Sequence, residues 1–313
     1  MEQYTVSQIF KQSLLVQNDA FRESDNIVML TFDDNYVDQS INLILSIARH
    51  NPAGISFICT CPVLKQENIN ILLNLSQGIQ IRCYEFALDL QMGRWALSAV
   101  LRLFSPWLLD ESIHKVLYMD SDILCTGSLK ELFETDVRCI AMCNEISGNV
   151  SLIQQGNVRP YVPTRIYCNS GVVLFHLDYL RKNHTFQEIF QALTEINGKV
   201  VYLDQDFLNI YFQGKIDVLN AFHYNFQAYE LRSTAFYKNA LRNCRLIHFS
   251  VGKPWLYKTK LTYILLYLKH SEYPPMIRRV KQTFWKSLAY SPVRTVRHML
   301  SPIKQAVLSA KNK

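Results

Sequence analysis

Short apolar runs alternate with longer amphipathic stretches along the first half of the chain. IVMLTF (27–32) is typical of a buried strand, and residues 36–50 then repeat apolar positions at helical spacing. The same alternation predicts further strands at 55–60, 79–85, 115–119, 137–143, 169–177 and 245–249, and helices at 67–75, 94–104, 128–134, 180–196 and 202–212, the last with Asp204 as its N-cap. Strands separated by helix-length segments predict an α/β fold with a mostly parallel, Rossmann-like sheet and helices on both faces.

Two acidic triplets directly follow predicted strands. Asp33-Asp34-Asn35 comes after IVMLTF, and Asp120-Ser121-Asp122 comes after KVLYM (115–119). Ligands of such sheets bind beyond the carboxyl ends of the strands, so we expect both triplets to border one crevice. Carboxylates at i and i+2 of an extended segment point the same way and repel each other unless a cation lies between them. The second triplet therefore predicts metal-bridged binding of a diphosphate, with a solvated turn as the alternative.

Composition adds limits to this picture. At 313 residues and 49% hydrophobic content, the chain is long enough for one large globular domain. The first 26 residues lack the apolar core of a signal peptide, and no run approaches the roughly 18 apolar residues of a membrane-spanning helix. We therefore expect a cytosolic protein. Its eight cysteines form no paired C-x-x-C pattern and are expected to be buried, reduced thiols.

The positive charge is concentrated at the C-terminus. Residues 273–313 contain nine Lys or Arg and no Asp or Glu, so the net charge of +7 leaves −2 for residues 1–272 (7 − 9 = −2). Apolar side chains between these cations, such as Phe284 and Trp285, are typical of a segment that binds an anionic membrane surface. The alternative is a helix that packs on the domain with a solvated basic face. Nucleic-acid binding is disfavoured, because no recognition module accompanies the charge.

Five motifs in a fixed order carry a resemblance to a known family. They are FDDNYV (32–37), RLFSPWLLDESIHKVLYMDSDIL (102–124), NSGVVLF (169–175), LDQDFLN (203–209) and HFSVGKPW (248–255). Over about residues 27–258, the chain resembles the retaining glycosyltransferases of family 8, and among them the bacterial lipopolysaccharide and lipooligosaccharide glycosyltransferases. The resemblance implies a glycosyltransferase A fold and a UDP-sugar donor.

The resemblance also implies a metal site. In the family the D-x-D triplet binds Mn²⁺, which bridges the donor's diphosphate, so Asp120 and Asp122 are implied ligands with His248 as the third. A histidine ligand suits Mn²⁺ better than Mg²⁺, which is kept as the alternative. Lys253 would contact the diphosphate, and Gly252 would let backbone approach it closely. The family commonly reads H-x-x-G-x-x-K-P-W, whereas this chain is one residue shorter, so both roles require a tighter loop.

The remaining implied residues surround the donor. Asp33 and Asn35 would meet the uridine or the sugar, with an Asx turn as the alternative. Arg102, rather than its competitor Arg94, would reach the donor beside the D-x-D strand. The implied donor-binding set is Asp33, Asn35, Arg102, Asp120, Ser121, Asp122, Asn169, Ser170, Asp204, Gln205, Gly252 and Lys253, and the implied catalytic set is Asp204, Gln205 and Asp206.

Together these features predict a hexosyltransferase. It would move galactose or glucose from a UDP-sugar to a lipid-linked surface glycan such as lipopolysaccharide core, with retention, at the inner face of the cytoplasmic membrane. The predicted parts are an N-terminal extension (1–26), a family 8 catalytic domain (27–272) and a basic, amphipathic helical tail that associates with the membrane (273–313). A nucleotidyltransferase is the enzymatic alternative, although residues 1–35 lack the glycines of its N-terminal loop. A non-catalytic peripheral membrane module with a degenerate site is the third interpretation.

Overall fold

Two sheets form the framework of the protein. The computed structural model describes residues 4–52, 54–86, 97–145, 166–230, 235–257 and 259–290. Its strands are β1 (Phe10–Gln17), β2 (Asn26–Thr31), β3 (Ile55–Cys61), β4 (Gly78–Phe86), β5 (Lys115–Met119), β6 (Ile123–Cys125), β7 (Ile140–Asn144), β8 (Cys168–His176), β9 (Ile216–Leu219), β10 (Phe226–Gln227) and β11 (Leu246–His248). The large sheet has the order β1-β4-β3-β2-β5-β8-β7-β9, and the small sheet the order β10-β11-β6.

Most strands of the large sheet point the same way. β4, β3, β2, β5, β7 and β9 are mutually parallel, whereas β1 and β8 run against their neighbours. The predicted mostly parallel sheet is therefore confirmed. The antiparallel β8 lies between β5 and β7, and it carries the NSGVVLF motif alongside the strand that ends in Asp120.

Helices cover the sheet on both sides. They are α1 (Val6–Ile9), α2 (Val37–His50), α3 (Gln66–Leu73), α4 (Leu97–Leu101), α5 (Ser105–Leu108), α6 (Lys130–Glu134), α7 (Leu177–Asn183), α8 (Phe186–Ile196), α9 (Leu203–Tyr211), α10 (Ala221–Tyr224), α11 (Ala235–Asn243), α12 (Leu261–His270) and α13 (Pro274–Tyr290), with 3₁₀ turns at Asp34–Tyr36, Arg102–Phe104 and Ala228–Glu230. In β5, Val116 and Tyr118 pack into one apolar core and Leu117 and Met119 into the other. Burial on both faces explains why this strand reads as a continuous apolar run.

The N-terminal segment takes part in the sheet. Residues Phe10–Gln17, inside the predicted extension, form the edge strand β1 and pair antiparallel with β4. Polar and apolar positions alternate poorly there, since seven of its eight residues are at least partly exposed. That is why the sequence pattern did not reveal the strand. The division at residue 26 stays a prediction.

Two helix predictions were wrong in detail. The stretch 180–196 is two helices, α7 and α8, rather than one, because Thr185 caps α8 in a capping box with Glu188. Asp204 is not the N-cap of α9, which begins at Leu203 after Tyr202. Its carboxylate instead accepts a hydrogen bond from Ser170, so a tertiary contact takes the place of capping. Arg94, residues 147–165 of the predicted loop and residues 291–313 of the tail lie outside the described residues.

Two further expectations concern thiols and membrane spans. All eight cysteines are free and buried, as predicted. Burial raises the pKa of several of these thiols, for example that of Cys139 to about 11, so they pack as small apolar side chains. Within the described ranges, the length and apolar content of each helix fall short of what crossing a bilayer requires.

The described part of the tail packs against the domain. In α13, Met276 and Val280 are fully buried beside α12, and Thr283 donates a hydrogen bond of 3.3 Å to the carbonyl of Trp255. The opposite face carries exposed cations, among them Arg278 and Lys281. Some apolar side chains of the tail therefore pack in the core and do not face a membrane. This agrees with the alternative in which the tail is a helix that packs on the domain with a solvated basic face.

Candidate active site

The centre of the site is a cluster of two carboxylates and one imidazole. Asp120 and Asp122 follow the carboxyl end of β5, and His248 ends β11. Because β11 pairs with β6, His248 lies opposite Ile123, and the amide of Phe249 donates to the carbonyl of Asp122. His248 Nε2 lies 3.2 Å from Asp122 Oδ1 and 3.8 Å from Asp120 Oδ2. One potential ligand atom from each of the three residues lies within 4.8 Å of the others, so the cluster could hold a metal ion.

Two cations hold the carboxylates in place. Arg102 Nη1 is 2.8 Å from Asp120 Oδ1, which also accepts a 2.6 Å bond from the hydroxyl of Tyr118. Burial would raise the pKa of Asp120, but the Arg102 guanidinium and the other donors bring it below its ordinary value. Lys253 contacts Asp122 Oδ2, and burial lowers the pKa of this lysine to about 8. Burial also lowers the pKa of His248, which favours the neutral imidazole that metals bind.

The start of β8 forms the next wall. The carbonyl of Gly171 accepts from the amide of Asp120 at 2.9 Å, which fastens the D-x-D turn to the NSGVVLF motif. A Cβ on Gly171 would lie 2.3 Å from His248 Cε1, so only glycine lets the imidazole reach the carboxylates. Asn169 Nδ2 and the amide of Ser170 both donate to Gln205 Oε1, at 3.0 and 3.1 Å. Gln205 is therefore held between β8 and α9.

The acids of the LDQDFLN motif point in different directions. Asp204 accepts from Ser170 Oγ at 3.0 Å and lies 3.3 Å from Arg102, so it faces the cluster. Asp206 is fully buried, accepts from the hydroxyl of Tyr167 and from the amide of Tyr202, and does not line the cavity. Burial raises the pKa of Asp206 to about 6. Of the predicted catalytic set, Gln205 lines the cavity, whereas Asp206 lies behind Gln205.

A cavity of about 250 Å³ opens beside the metal-ligating cluster. Its walls include both D-x-D aspartates, His248 and Lys253 on one side and Asn169, Ser170 and Gln205 on the other. Glu145 also lines it and accepts from Asn169 Nδ2 at 2.8 Å and from the hydroxyl of Tyr229 at 3.1 Å. Sequence reasoning missed Glu145, although an acid just past the parallel strand β7 was an available signal.

The first acidic triplet forms a turn of its own. Asp33 accepts from the amide of Asn35 at 2.9 Å and caps the 3₁₀ turn, which is the Asx-type alternative to a donor contact. Asp34 accepts from the amide of Lys65, away from the cavity. Neither Asp33 nor Asn35 lines the cavity, and Ser121 is bound to the hydroxyl of Ser40 at 2.7 Å. The donor roles predicted for these three residues therefore stay predictions.

The shortened HFSVGKPW loop closes through a left-handed turn. Gly252 has φ +74°, a conformation that residues with a side chain rarely adopt, and a Cβ there would meet the ring of Tyr263 at 3.2 Å. The turn brings Lys253 back to Asp122 within five residues of His248. The loop is therefore tight enough to compensate for the missing residue. Gly252 allows the left-handed backbone conformation of this turn.

These features define a fold class. A mostly parallel α/β sheet with helices on both faces and a D-x-D pair at its carboxyl edge is the arrangement of the glycosyltransferase A fold. Solved structures agree: the protein superimposes on the galactosyltransferase LgtC, crystallised with donor and acceptor sugar analogues, with a TM-score of 0.60 at 21% identity, over 74% of this chain and 90% of that one. A likeness at this identity shows the fold.

The sequence places the chain within that class. It belongs to glycosyl transferase family 8, whose pattern matches residues 27–259. It is 26% identical to a lipopolysaccharide 1,2-glucosyltransferase of Escherichia coli, over 75% of this chain and 74% of that protein. It is also 27% identical to the glycosyltransferase GlyA of Streptococcus pneumoniae, over 78% of this chain but only 34% of GlyA. The predicted family is confirmed.

Proposed function

We propose that the protein moves a hexose from UDP-galactose or UDP-glucose to a hydroxyl of a surface glycan, such as lipopolysaccharide core, with retention of configuration. The observation that carries this proposal is the cluster of Asp120, Asp122 and His248 on one side of a cavity whose other side offers the hydrogen-bonding groups of Asn169, Ser170, Gln205 and Glu145. One side suits a cation and a diphosphate, and the other suits a sugar.

The chemistry of the ligand atoms supports Mn²⁺. Two carboxylate oxygens and one imidazole nitrogen suit Mn²⁺, while Mg²⁺ prefers oxygen ligands and is the alternative. Bound there, the ion would stabilise the negative charge that grows on the departing UDP. Asp120, Asp122 and His248 would hold it. Lys253 reaches Asp122 Oδ2 on a flexible stem, so its ammonium is placed to pair with a phosphate oxygen as the leaving group forms.

The polar wall supports retention without a covalent intermediate. Asp204 is held by Arg102 and Ser170, and Asp206 lies behind Gln205. Glu145, the acid of this wall that lines the cavity, is held by Asn169 and Tyr229, so each of the three carboxylates already has bound partners. In the proposed reaction the bond from the anomeric carbon to the diphosphate oxygen breaks, and the acceptor hydroxyl oxygen bonds to that carbon from the same face. Its proton passes to the leaving phosphate. Gln205 is a polar neighbour of this step.

The acceptor is inferred from relatives. The 1,2-glucosyltransferase of E. coli and a 24% identical 1,3-galactosyltransferase of Salmonella typhimurium are both named for lipopolysaccharide. The decisive experiment is a panel of UDP-sugars with Mn²⁺, in which UDP release is measured with and without lipooligosaccharide and the anomeric configuration of the product is determined by NMR. Acceptor-dependent UDP release with retention is expected. Release of pyrophosphate would favour a nucleotidyltransferase, and no turnover of any UDP-sugar would favour a non-catalytic module.

The outward face of α13 supports peripheral binding to the inner face of the cytoplasmic membrane. Trp285 is 64% exposed and shares that face with Arg278 and Lys281. Removing residues 273–313 would also remove Met276 and Val280 from the core, so surface variants test the idea more cleanly. Trp285→Ala combined with Lys281→Glu should reduce sedimentation with vesicles that contain phosphatidylglycerol. Lys182→Glu, on the exposed face of α7, is the matched control; equal binding by all three proteins contradicts this role.

A further inference from the structure

A buried asparagine outside the five motifs contacts His248, the imidazole of the proposed metal-binding cluster. Asn225 is 1% exposed and lies between α10 and β10. β10 pairs with β11, where Gln227 lies opposite His248, so the backbone register fixes the distance between Asn225 and the imidazole. Its Oδ1 is 2.9 Å from His248 Nδ1, and its Nδ2 is 2.8 Å from Asn169 Oδ1.

The orientation of both amides follows from one backbone group. The amide N–H of Gly171 can only donate, and it lies 2.9 Å from Asn169 Oδ1, so the atom of Asn169 at that position must be an oxygen. The Asn225 atom facing the same oxygen must then be the nitrogen. It follows that the oxygen of Asn225 faces His248 Nδ1.

The tautomer of His248 follows in turn. Because Asn225 Oδ1 can only accept, His248 Nδ1 must carry the proton, and a neutral imidazole then has its lone pair on Nε2. Nε2 is the atom that lies 3.2 Å from Asp122. The opposite tautomer would require Asn225 to turn, which would place its oxygen against the oxygen of Asn169.

We propose that Asn225 is a positioning residue that fixes His248 as the Nδ1–H tautomer and presents the Nε2 lone pair to the metal ion. The chain of bonds Gly171–Asn169–Asn225–His248 also ties the metal ligand to Asn169, which lines the sugar side of the cavity. The inference rests on the proposed metal site. Outer partners of this kind typically contribute 10- to 100-fold to metal affinity.

The first test needs no metal, and its one variant serves only to assign the signals. In the wild-type protein labelled with ¹⁵N-histidine, the His248 shifts should show a protonated, pyrrole-type Nδ1 and an unprotonated, pyridine-type Nε2, with His248→Gln used for assignment. A pyridine-type Nδ1 would overturn the proposal even if the enzyme is fully active. Absence of Mn²⁺ binding by the wild type would instead count against the proposed function, so the two failures can be told apart.

The second test uses variants of Asn225. Asn225→Leu removes the acceptor at similar volume, and Mn²⁺ affinity, measured from free Mn²⁺ by electron paramagnetic resonance, should fall about 10- to 100-fold. Asn225→Asp loses the donor to Asn169 but keeps an acceptor for His248, so it should keep the Nδ1–H tautomer. Asn42→Leu is the matched control, because Asn42 is equally buried but bonds Tyr267 and Ser271. Wild-type affinity in folded Asn225→Leu, or the same loss in Asn42→Leu, would refute the proposal.

Discussion

Three acidic triplets in this chain have similar sequences but different surroundings in the fold. Asp33-Asp34-Asn35 and Asp120-Ser121-Asp122 both follow neighbouring parallel strands, β2 and β5. The second triplet meets His248, Arg102 and Lys253. The first binds its own amides and the start of α3. The two triplets differ in the elements that face them. β8 and β11 lie against the second triplet and supply some of its partners.

The third triplet shows the effect of secondary structure. Asp204-Gln205-Asp206 lies in the first turns of α9, where residues i and i+2 point about 200° apart rather than the same way. Asp204 accordingly faces Arg102 and Asp206 faces Tyr167. Two carboxylates two residues apart therefore bind one ion only where the backbone is extended or turned and a counter-ligand lies opposite.

The largest expected effect separates the first two triplets. Asp122→Asn should abolish detectable Mn²⁺ binding and reduce kcat/KM by about 100- to 1,000-fold, because it removes a charged ligand and the partner of Lys253. Asp34→Asn is the matched control on the other triplet and keeps an oxygen for the amide of Lys65, so activity should change by less than about twofold. Equal losses of activity in both variants would mean that the two triplets do not differ in function.

A second prediction concerns the buried acid of the helical triplet. The pKa of Asp206 is raised from about 3.8 to about 6, so the folded state binds this proton more tightly than the unfolded state. Stability contributed by the protonated form is present below about pH 4 and lost as the pH rises to about 6, by about 3 kcal/mol in total. Urea unfolding of the wild type and Asp206→Asn from pH 4 to 7 should show the variant gaining relative stability over that window. A pH-independent difference would contradict the raised pKa.

A third prediction moves the imidazole away from Asp120-Ser121-Asp122, so that this triplet would lack a histidine partner, as Asp33-Asp34-Asn35 does among the described residues. Gly171→Ala places a methyl group 2.3 Å from His248 Cε1, so the imidazole must withdraw from the carboxylates. Mn²⁺ affinity should fall about 10- to 100-fold, measured by electron paramagnetic resonance on the folded protein. Gly127→Ala is the control, since the three atoms nearest to its Cβ all belong to the flexible side chain of Arg245. Unchanged affinity in Gly171→Ala would mean that His248 contributes little to the site.

Sequence patterns predicted the features that depend on local order. Runs rich in apolar residues identified β2, β3, β4, β5, β7, β8 and β11, because strands buried on both faces are mostly apolar. The structure brings the D-x-D pair and His248 together, as the family resemblance implied; the strand-end rule alone would have indicated the two aspartates but not His248, whose strand β11 belongs to the small sheet. The family resemblance supplied the order of the motifs.

Features that depend on packing were not visible. The edge strand β1 has a mostly exposed, irregular pattern, and Asp204 reads as a cap until Arg102 and Ser170 are brought to it. Asn225 sits outside any motif, and its role depends on β10 and β11 pairing. These relations are set by which strands become neighbours, and no short window of sequence contains that information.

The smallest expected effect tests whether Asp33 in the first triplet serves the fold, the donor or both. Asp33→Ala removes the cap of the 3₁₀ turn and should lower the free energy of unfolding by about 1 kcal/mol, whereas Asp33→Asn keeps an acceptor and should be nearly neutral. Both should bind Mn²⁺ like the wild type, because Asp33 lies outside the cluster. If Asp33 also binds the donor, both variants raise the KM for the UDP-sugar while only the alanine variant loses stability. An unchanged KM in both would assign Asp33 to the turn alone, and the contrast between the triplets would be complete.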